Sequence, residues 1–254
     1  MSMNFNSACI SYIGCGRENN EDNFCFNGKR LAPENSGTEG ALTYSGNTDE
    51  YRLFAVFDGM GGENAGEKAA FSAAEAFLHG ISFHSENLTK GKELFLSLCK
   101  DAQKDVRDIS RTINGTVGTT VVSLLFSGDV AVSCNLGDSK AYRVRDKKMM
   151  MLSEEHTDAG IIKALGLDKK PRLMQFLGMD ENVMKPDPYI TKGNIESGDM
   201  YILCSDGVSD VLCAQEIYDA VRDKNALSAV KSLIDEVKKK NGGDNATAIV
   251  INFD

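Results

Sequence analysis

The sequence predicts an α+β layered sandwich, not a parallel doubly wound sheet. Its helical patterns come in consecutive pairs, at 63–113 and again at 214–240, without strands interleaved between them. Between 119 and 152 four strand-like runs follow one another with two-residue turns, which implies antiparallel pairing.

Taken in order, residues 7–14 and 22–27 read as short strands joined by a polar turn from Gly16 to Glu21. Residues 28–50 are rich in Gly, Asn, Ser, Thr and Glu and read as a surface excursion. Leu53–Phe57 is a buried strand that stops at Asp58-Gly59-Met60-Gly61-Gly62. The alanine-dense run Glu63–Leu78 predicts a tightly packed helix closed by Gly80. In the next helix Leu94, Leu98, Ala102, Val106, Ile109 and Ile113 recur at steps of three and four.

Strands follow at 119–126, 130–136, 140–145 and 148–152, turning at Gly128-Asp129 and Asp146-Lys147. Methionines 149, 150 and 151 read as packing residues in the last of these. A short helix is expected at 159–167, then strands at 189–195 and 200–204, helices at 214–222 and 226–240, and a last strand at 246–252. With no internal repeat and no clear linker, 1–254 reads as one domain.

The 254 residues are 42% hydrophobic and 26% charged, which supplies a core and excludes wholesale disorder. A net charge of −9 argues against a nucleic-acid backbone or an anionic membrane as main partner. No apolar run approaches the ~18–20 residues of a membrane helix, and the N-terminus lacks the pattern of a secretory signal. Seven cysteines in an odd count, without Cys-x-x-Cys spacing, read as reduced thiols of a cytosolic protein.

Aspartates stand where apolar strands begin or end: Asp22, Asp58, Asp138, Asp206, and Asp244 just before the final strand. Each alone is an ordinary turn signal. Together, at strand ends that a layered sheet can gather on one edge, they would repel one another unless a cation or raised pKa values relieved them. Oxygen ligands suit Mg²⁺ or Mn²⁺, whereas zinc would want His or Cys, and His79, His84 and His156 show no ligand spacing. A nucleotide cradle at Gly59–Gly62 is disfavoured: a third dinucleotide-fold glycine is missing, and Glu67 stands where a phosphate loop has lysine.

Six motifs, in order, go further: Arg17-Glu18-Asn19-Asn20-Glu21-Asp22, Phe57-Asp58-Gly59-Met60-Gly61-Gly62, Gly118-Thr119-Thr120, Asn135 to Arg143 (NLGDSKAYR), Leu203-Cys204-Ser205-Asp206-Gly207-Val208 and Gly243-Asp244-Asn245-Ala246-Thr247. Across nearly the whole chain they resemble the metal-dependent protein phosphatases of the PPM family, also called type 2C, of bacterial type. The resemblance implies a four-layer α-β-β-α sandwich of two antiparallel sheets flanked by helix pairs, with metals at one end. It implies that Asp58 bridges two Mn²⁺ or Mg²⁺ ions, that the Gly59 carbonyl assists the second, and that Asp206 and Asp244 hold the first. Glu21 and Asp22 would act through coordinated waters, Asp138 with Asp206 would match a third metal site, and Arg17 would grip the substrate phosphate.

The implied activity is hydrolysis of phosphoserine and phosphothreonine in proteins without a covalent intermediate, opposing a Ser/Thr kinase in the cytoplasm as a monomer. Uncatalysed phosphate monoester hydrolysis is so slow that acceleration approaches ~10²¹-fold, a task suited to a two-metal centre. Two departures stand out. Met60 replaces the His that many relatives use to protonate the leaving group, leaving that task to a coordinated water. The flap, about 157–187, is short before Gln175-Phe176-Leu177-Gly178-Met179-Asp180 and lacks the family's usual pattern. The alternative reading is a catalytically inactive binding module, which loss of metal aspartates would signal; Asp58, Asp206 and Asp244 are all present.

Overall fold

The computed structural model describes residues 2–61, 65–84, 91–113 and 116–254. Its strands and helices run β1 (Asn4–Tyr12), β2 (Asp22–Phe26), β3 (Leu42–Asn47), β4 (Arg52–Gly61), α1 (Gly66–His84), α2 (Gly91–Thr112), β5 (Val117–Thr119), β6 (Val121–Ser127), β7 (Val130–Leu136), β8 (Lys140–Arg145), β9 (Lys148–Met151), α3 (Ala159–Ala164), β10 (Tyr189–Asn194), β11 (Met200–Cys204), α4 (Asp206–Ser209), α5 (Ala214–Val221), α6 (Ala226–Lys239) and β12 (Ala246–Phe253). One sheet has the order β3-β1-β12-β11-β8-β9. The other has β10-β7-β6-β4-β2, with β5 added against the end of β4. Every pairing is antiparallel.

Strand period explains the layers. Both faces of β4 are buried, so Leu53, Ala55 and Phe57 pack on α1 and α2 while Phe54 and Val56 face the other sheet. On the opposite side, α5 and α6 cover Ala8, Ile202, Ala248 and Val250. Between the sheets lies a layer rich in aromatics, with Phe126 centred 5.1 Å from Tyr201 and 5.0 Å from Phe253 in edge-on contacts. The predicted four-layer order is therefore present.

Four local expectations need correction. The 28–50 excursion contains β3, a half-exposed edge strand. Its pairing to β1 is a backbone property that its Gly, Ser and Thr content conceals. The strand at 53–57 does not stop at Asp58 but runs to Gly61, because Gly59–Gly61 pair with β5; Gly62 and Glu63 lie outside the described residues. Gly80 does not close α1, which continues to His84. It makes room for α2 instead, since a Cβ there would stand 2.2 Å from Leu98 Cδ2. Met150 and Met151 are exposed on β9, an edge strand, and only Met149 packs against the core.

The tight turn between β8 and β9 is confirmed, with both Asp146 and Lys147 at positive φ, as a two-residue hairpin of matching twist requires. All seven cysteines are free; five are buried, and Cys15 and Cys213 are exposed. Among the described residues, no helix is long and apolar enough to cross a membrane.

Candidate metal centre

The inter-sheet layer ends in polar residues that keep its strand period. On β4 the core-facing series Phe54, Val56 continues to Asp58, and on β2 the series Phe26, Phe24 ends at Asp22. Asp22 and Asp58 are directly paired across these strands. From the other sheet, β11 ends at Cys204, Ser205 follows and α4 begins with Asp206, and β12 begins just after Asp244 and Asn245. Asp138 lies where the chain crosses from β7 in one sheet to β8 in the other. The apolar filling stops here, and carboxylates and hydroxyls replace it.

Hydrogen bonds fix this rim. The Ser205 hydroxyl donates to Asp22 Oδ2 at 2.7 Å and accepts from Thr247 N at 3.0 Å. The carbonyl of Asp58 accepts from Thr119 Oγ1 and from Thr120 N, both at 2.9 Å. Asn245 ties the 13–21 loop down: its amide donates to the carbonyls of Ile13 (2.6 Å) and Asn19 (3.0 Å), and its Oδ1 accepts from Glu21 N (2.8 Å). Gly59 N donates to the Glu21 carbonyl at 3.1 Å. A side chain at Gly59 is excluded, because a Cβ would stand 2.1 Å from the Gly66 carbonyl.

The electrostatics are those of crowded carboxylates. Asp22 is 1% exposed. Burial pushes its pKa up to about 7, aided by the charges of Asp206 and Asp244, and hydrogen bonds from Thr247 and Ser205 offset only part of this. Burial likewise raises Asp138 to about 6, with Asp206 next in effect. Asp58 is pushed well above the carboxylate range by burial first and then by the charges of Asp206 and Asp22. Burial and Glu67 raise Glu21, which Arg17 opposes.

All the sequence-predicted residues therefore meet at one end of the sandwich. Arg17 lies across the centre's margin, its Nη2 2.6 Å from Asp244 Oδ1 and its Nε donating to the Gly243 carbonyl at 3.1 Å. Among the described residues, no three His, Cys, Asp or Glu side chains are gathered tightly enough to hold an ion as they stand. The donor set nevertheless fits a hard divalent cation. Every group is oxygen, Asp22 Oδ1 is buried with no hydrogen-bond partner, and a cation would offset both the burial that raises these carboxylates and the repulsion that adds to it.

Sequence reasoning missed Ser205, Thr247 and Asn245 as supports of the centre. It also missed Lys170 of the 157–187 segment, whose ammonium stands 3.1 Å from Asp210 and offsets part of the burial that raises Asp206. His156 is no ligand: its Nδ1 accepts from Gly137 N at 3.1 Å, and burial lowers its pKa.

The family described as Protein phosphatase 2C matches residues 39–244. The chain belongs to the protein phosphatase 2C family. It is similar to the serine/threonine protein phosphatase PstP of Mycobacterium tuberculosis, with 28% identity over 213 residues; the match covers 78% of this chain and 40% of that protein. The serine/threonine phosphatase stp of Listeria monocytogenes is 26% identical over 224 residues, covering 82% of this chain and 87% of the relative. Among solved structures, the S. agalactiae serine/threonine phosphatase superposes with a TM-score of 0.79 at 20% identity, covering 98% of this chain and all of the other. The catalytic domain of PstP in complex with two manganese ions gives 0.75 at 23% identity, covering 100% and 99%. These folds share the two antiparallel sheets and flanking helices found here.

Proposed function

We propose that this phosphatase 2C family member hydrolyses phosphoserine and phosphothreonine in proteins, using two Mn²⁺ or Mg²⁺ ions. The observation that carries the reading is the convergence of Asp22, Asp58, Asp138, Asp206 and Asp244, from both sheets, on one polar rim with an unpartnered buried oxygen on Asp22. An inactive binding module would have no use for so many mutually repelling carboxylates.

Asp58, with the Gly59 carbonyl beside it, would serve both ions, Asp206 and Asp244 the first, and Glu21 and Asp22 the water shell. Asp138 with Asp206 would offer a third, weaker position. When bound, such ions supply a water of lowered pKa for in-line attack and neutralise the phosphoryl oxygens. The protein's own part is placement. Ser205 and Thr247 orient Asp22, Thr119 and Thr120 fix the Asp58 backbone, and Asn245 sets the loop from which Arg17 reaches the phosphate. The Arg17 fork matches two phosphate oxygens, a geometry lysine lacks. The Met60 thioether has no proton to give, so the leaving oxygen takes its proton from water. We read residues 1–254 as one phosphatase domain with a flap at about 157–187, acting as a monomer in the cytoplasm against a Ser/Thr kinase in signal transduction.

The test is hydrolysis of para-nitrophenyl phosphate and a phosphothreonine peptide by metal-stripped protein. Mn²⁺, Mg²⁺ and Zn²⁺ would be compared, with Asp206→Asn alongside. Turnover restored by Mn²⁺ or Mg²⁺ and lost in the variant is expected. Folded, metal-loaded protein that turns over neither substrate would sink the reading.

A further inference from the structure

A second site lies away from the metal centre, at the side of the sandwich where edge strands β9 and β10 face each other from opposite sheets. Between them is a crevice of about 230 Å³, walled by Leu124 and Ser133 from one sheet and by Met150, Met151 and Tyr201 from the other. Into it runs Arg143. On β8 the residues Ala141, Arg143 and Arg145 share the face that looks toward the other sheet, so Arg143 places a guanidinium at the margin of the apolar inter-sheet layer.

The two arginines of that face are treated differently. Arg145 is fully engaged: its Nε and Nη2 bind both oxygens of Asp199 at 2.6 Å, Nη2 also donates to the Asn194 carbonyl at 2.7 Å, and Nη1 pairs with Glu196. Asp199 is further occupied by the Tyr201 hydroxyl at 3.2 Å. Arg143 Nε is buried without a hydrogen-bond partner, and among the described residues Arg143 forms no ion pair. Its Nη1 reaches toward β10, where a Cβ on Gly193 would stand 3.8 Å away.

The other polar groups of the crevice are already used. Ser133 Oγ and Thr191 Oγ1 hydrogen-bond to each other at 2.5 Å, and the remaining charge is the cationic Lys192. The rim is apolar and open, with Met150, Met151 and Tyr189 exposed. A buried N–H without an acceptor is costly, and the half-buried guanidinium that carries it is a planar fork that matches a carboxylate. One guanidinium in a narrow apolar cleft suits a monoanion better than a phosphate.

We propose that this crevice binds a carboxylate with a compact apolar body, held by Arg143 and covered by Met150, Met151 and Tyr189. A free small molecule and an acidic residue beside an apolar one in a peptide both present this group, and the titration below separates them.

The experiment is a ¹H–¹⁵N titration of the full chain with sodium benzoate, neutral benzamide, and the blocked dipeptide acetyl-Asp-Phe-amide. Benzoate is expected to give saturable shifts at the amides of residues 143, 150, 151 and 191–193. Benzamide should bind about tenfold more weakly or worse, since the charge-assisted bonds are lost. Arg143→Met should abolish the benzoate shifts while leaving para-nitrophenyl phosphate turnover unchanged. Met151→Glu, which leaves Arg143 in place, should weaken benzoate through charge alone. A dipeptide that binds tighter than benzoate assigns the acid to a protein segment; an equal or weaker one assigns it to a free small acid. Equal affinity for benzoate and benzamide, or no saturable shift at these amides, overturns the proposal in favour of a guanidinium solvated by water.

Discussion

Ser205, just past β11, and Asp22, at the start of β2 in the other sheet, are 183 residues apart, yet the Ser205 hydroxyl donates to Asp22 Oδ2 at 2.7 Å. Because the same hydroxyl accepts from Thr247 N, its proton has one direction to point, toward the carboxylate. The bond joins the two halves of the sandwich where the core gives way to carboxylates, and it leaves Oδ1 free of partners.

Removing that donor should act on stability and on ion binding together. Ser205→Ala strips a buried carboxylate of its clearest hydrogen bond, at a cost of about 1–3 kcal/mol to the fold. It also frees Asp22 to rotate, and loss of such a supporting bond typically weakens metal binding by about 10–100-fold. Calorimetric titration with Mn²⁺ beside thermal unfolding measures both. Unchanged Mn²⁺ affinity would mean that Asp22 takes no part in the centre.

The raised carboxylates set a pH dependence whose sign can be worked out. Burial holds Asp22 up to about 7 and Asp138 up to about 6, well above the ordinary aspartate range, and Asp58 and Asp206 are raised as well. Between the unfolded and folded values the native state binds more protons than the unfolded chain. Stability of metal-free protein therefore falls as pH rises from about 4 to about 7. Glu216, lowered to about 2 by Lys240, works in the opposite sense but only at lower pH. Metal-free protein should melt at a higher temperature near pH 5 than near pH 7.5, and saturating Mn²⁺ should remove or reverse the difference. A metal-free melting temperature that rises with pH across this window would contradict the buried-carboxylate account.

How much of this was legible in the sequence depends on the range of the signal. The site aspartates were legible because each terminates or opens an apolar strand with a period of two, a pattern written in neighbouring residues. The fate of Asp58-Gly59-Met60 was not. Glycines there read as a chain break, whereas they continue β4 because β5 arrives from 60 residues later to pair with them. Gly80 misled for the same reason, since Leu98 of the next helix is what needs the space. Ser205, Thr247 and Asn245 stand inside the sequence motifs, yet nothing local shows what they hold; that role exists only when β1, β2, β11 and β12 are brought to the same end.

The Gly207–Asn245 contact illustrates such a hidden constraint and can be tested. A Cβ on Gly207 would stand 1.9 Å from the Asn245 carbonyl, which is backbone and has little room to yield. Gly207→Ala should therefore displace the Asp244-Asn245 turn and destabilise the protein by about 1–3 kcal/mol or more, as overpacking does. Asn245→Ala, which removes three hydrogen bonds to the 13–21 loop, should cost a comparable amount and loosen Arg17. Thermal melts of both variants, with proteolysis near residue 17 as a local probe, decide it. Wild-type melting in Gly207→Ala would show that the turn can shift freely.

Arg17 offers the sharpest separation between substrate binding and ion binding. Its Nη2 is paired with Asp244, which is proposed to serve the ions, so the guanidinium and a cation would compete for one carboxylate. Both side chains are partly exposed, and the pair contributes little to stability. Arg17→Ala should accordingly leave the melting temperature nearly unchanged and leave Mn²⁺ affinity equal or somewhat tighter, because Asp244 is released. The KM for a phosphothreonine peptide should rise by about tenfold or more, since a charge-assisted fork to the phosphate is gone. Arg17→Lys should recover only part of that loss, because an ammonium keeps the charge without the planar geometry. Steady-state kinetics at saturating Mn²⁺, paired with calorimetric Mn²⁺ titration, resolves the two effects. A variant with weakened Mn²⁺ binding and an unchanged KM would place Arg17 among the supports of the ions and remove it from phosphate recognition.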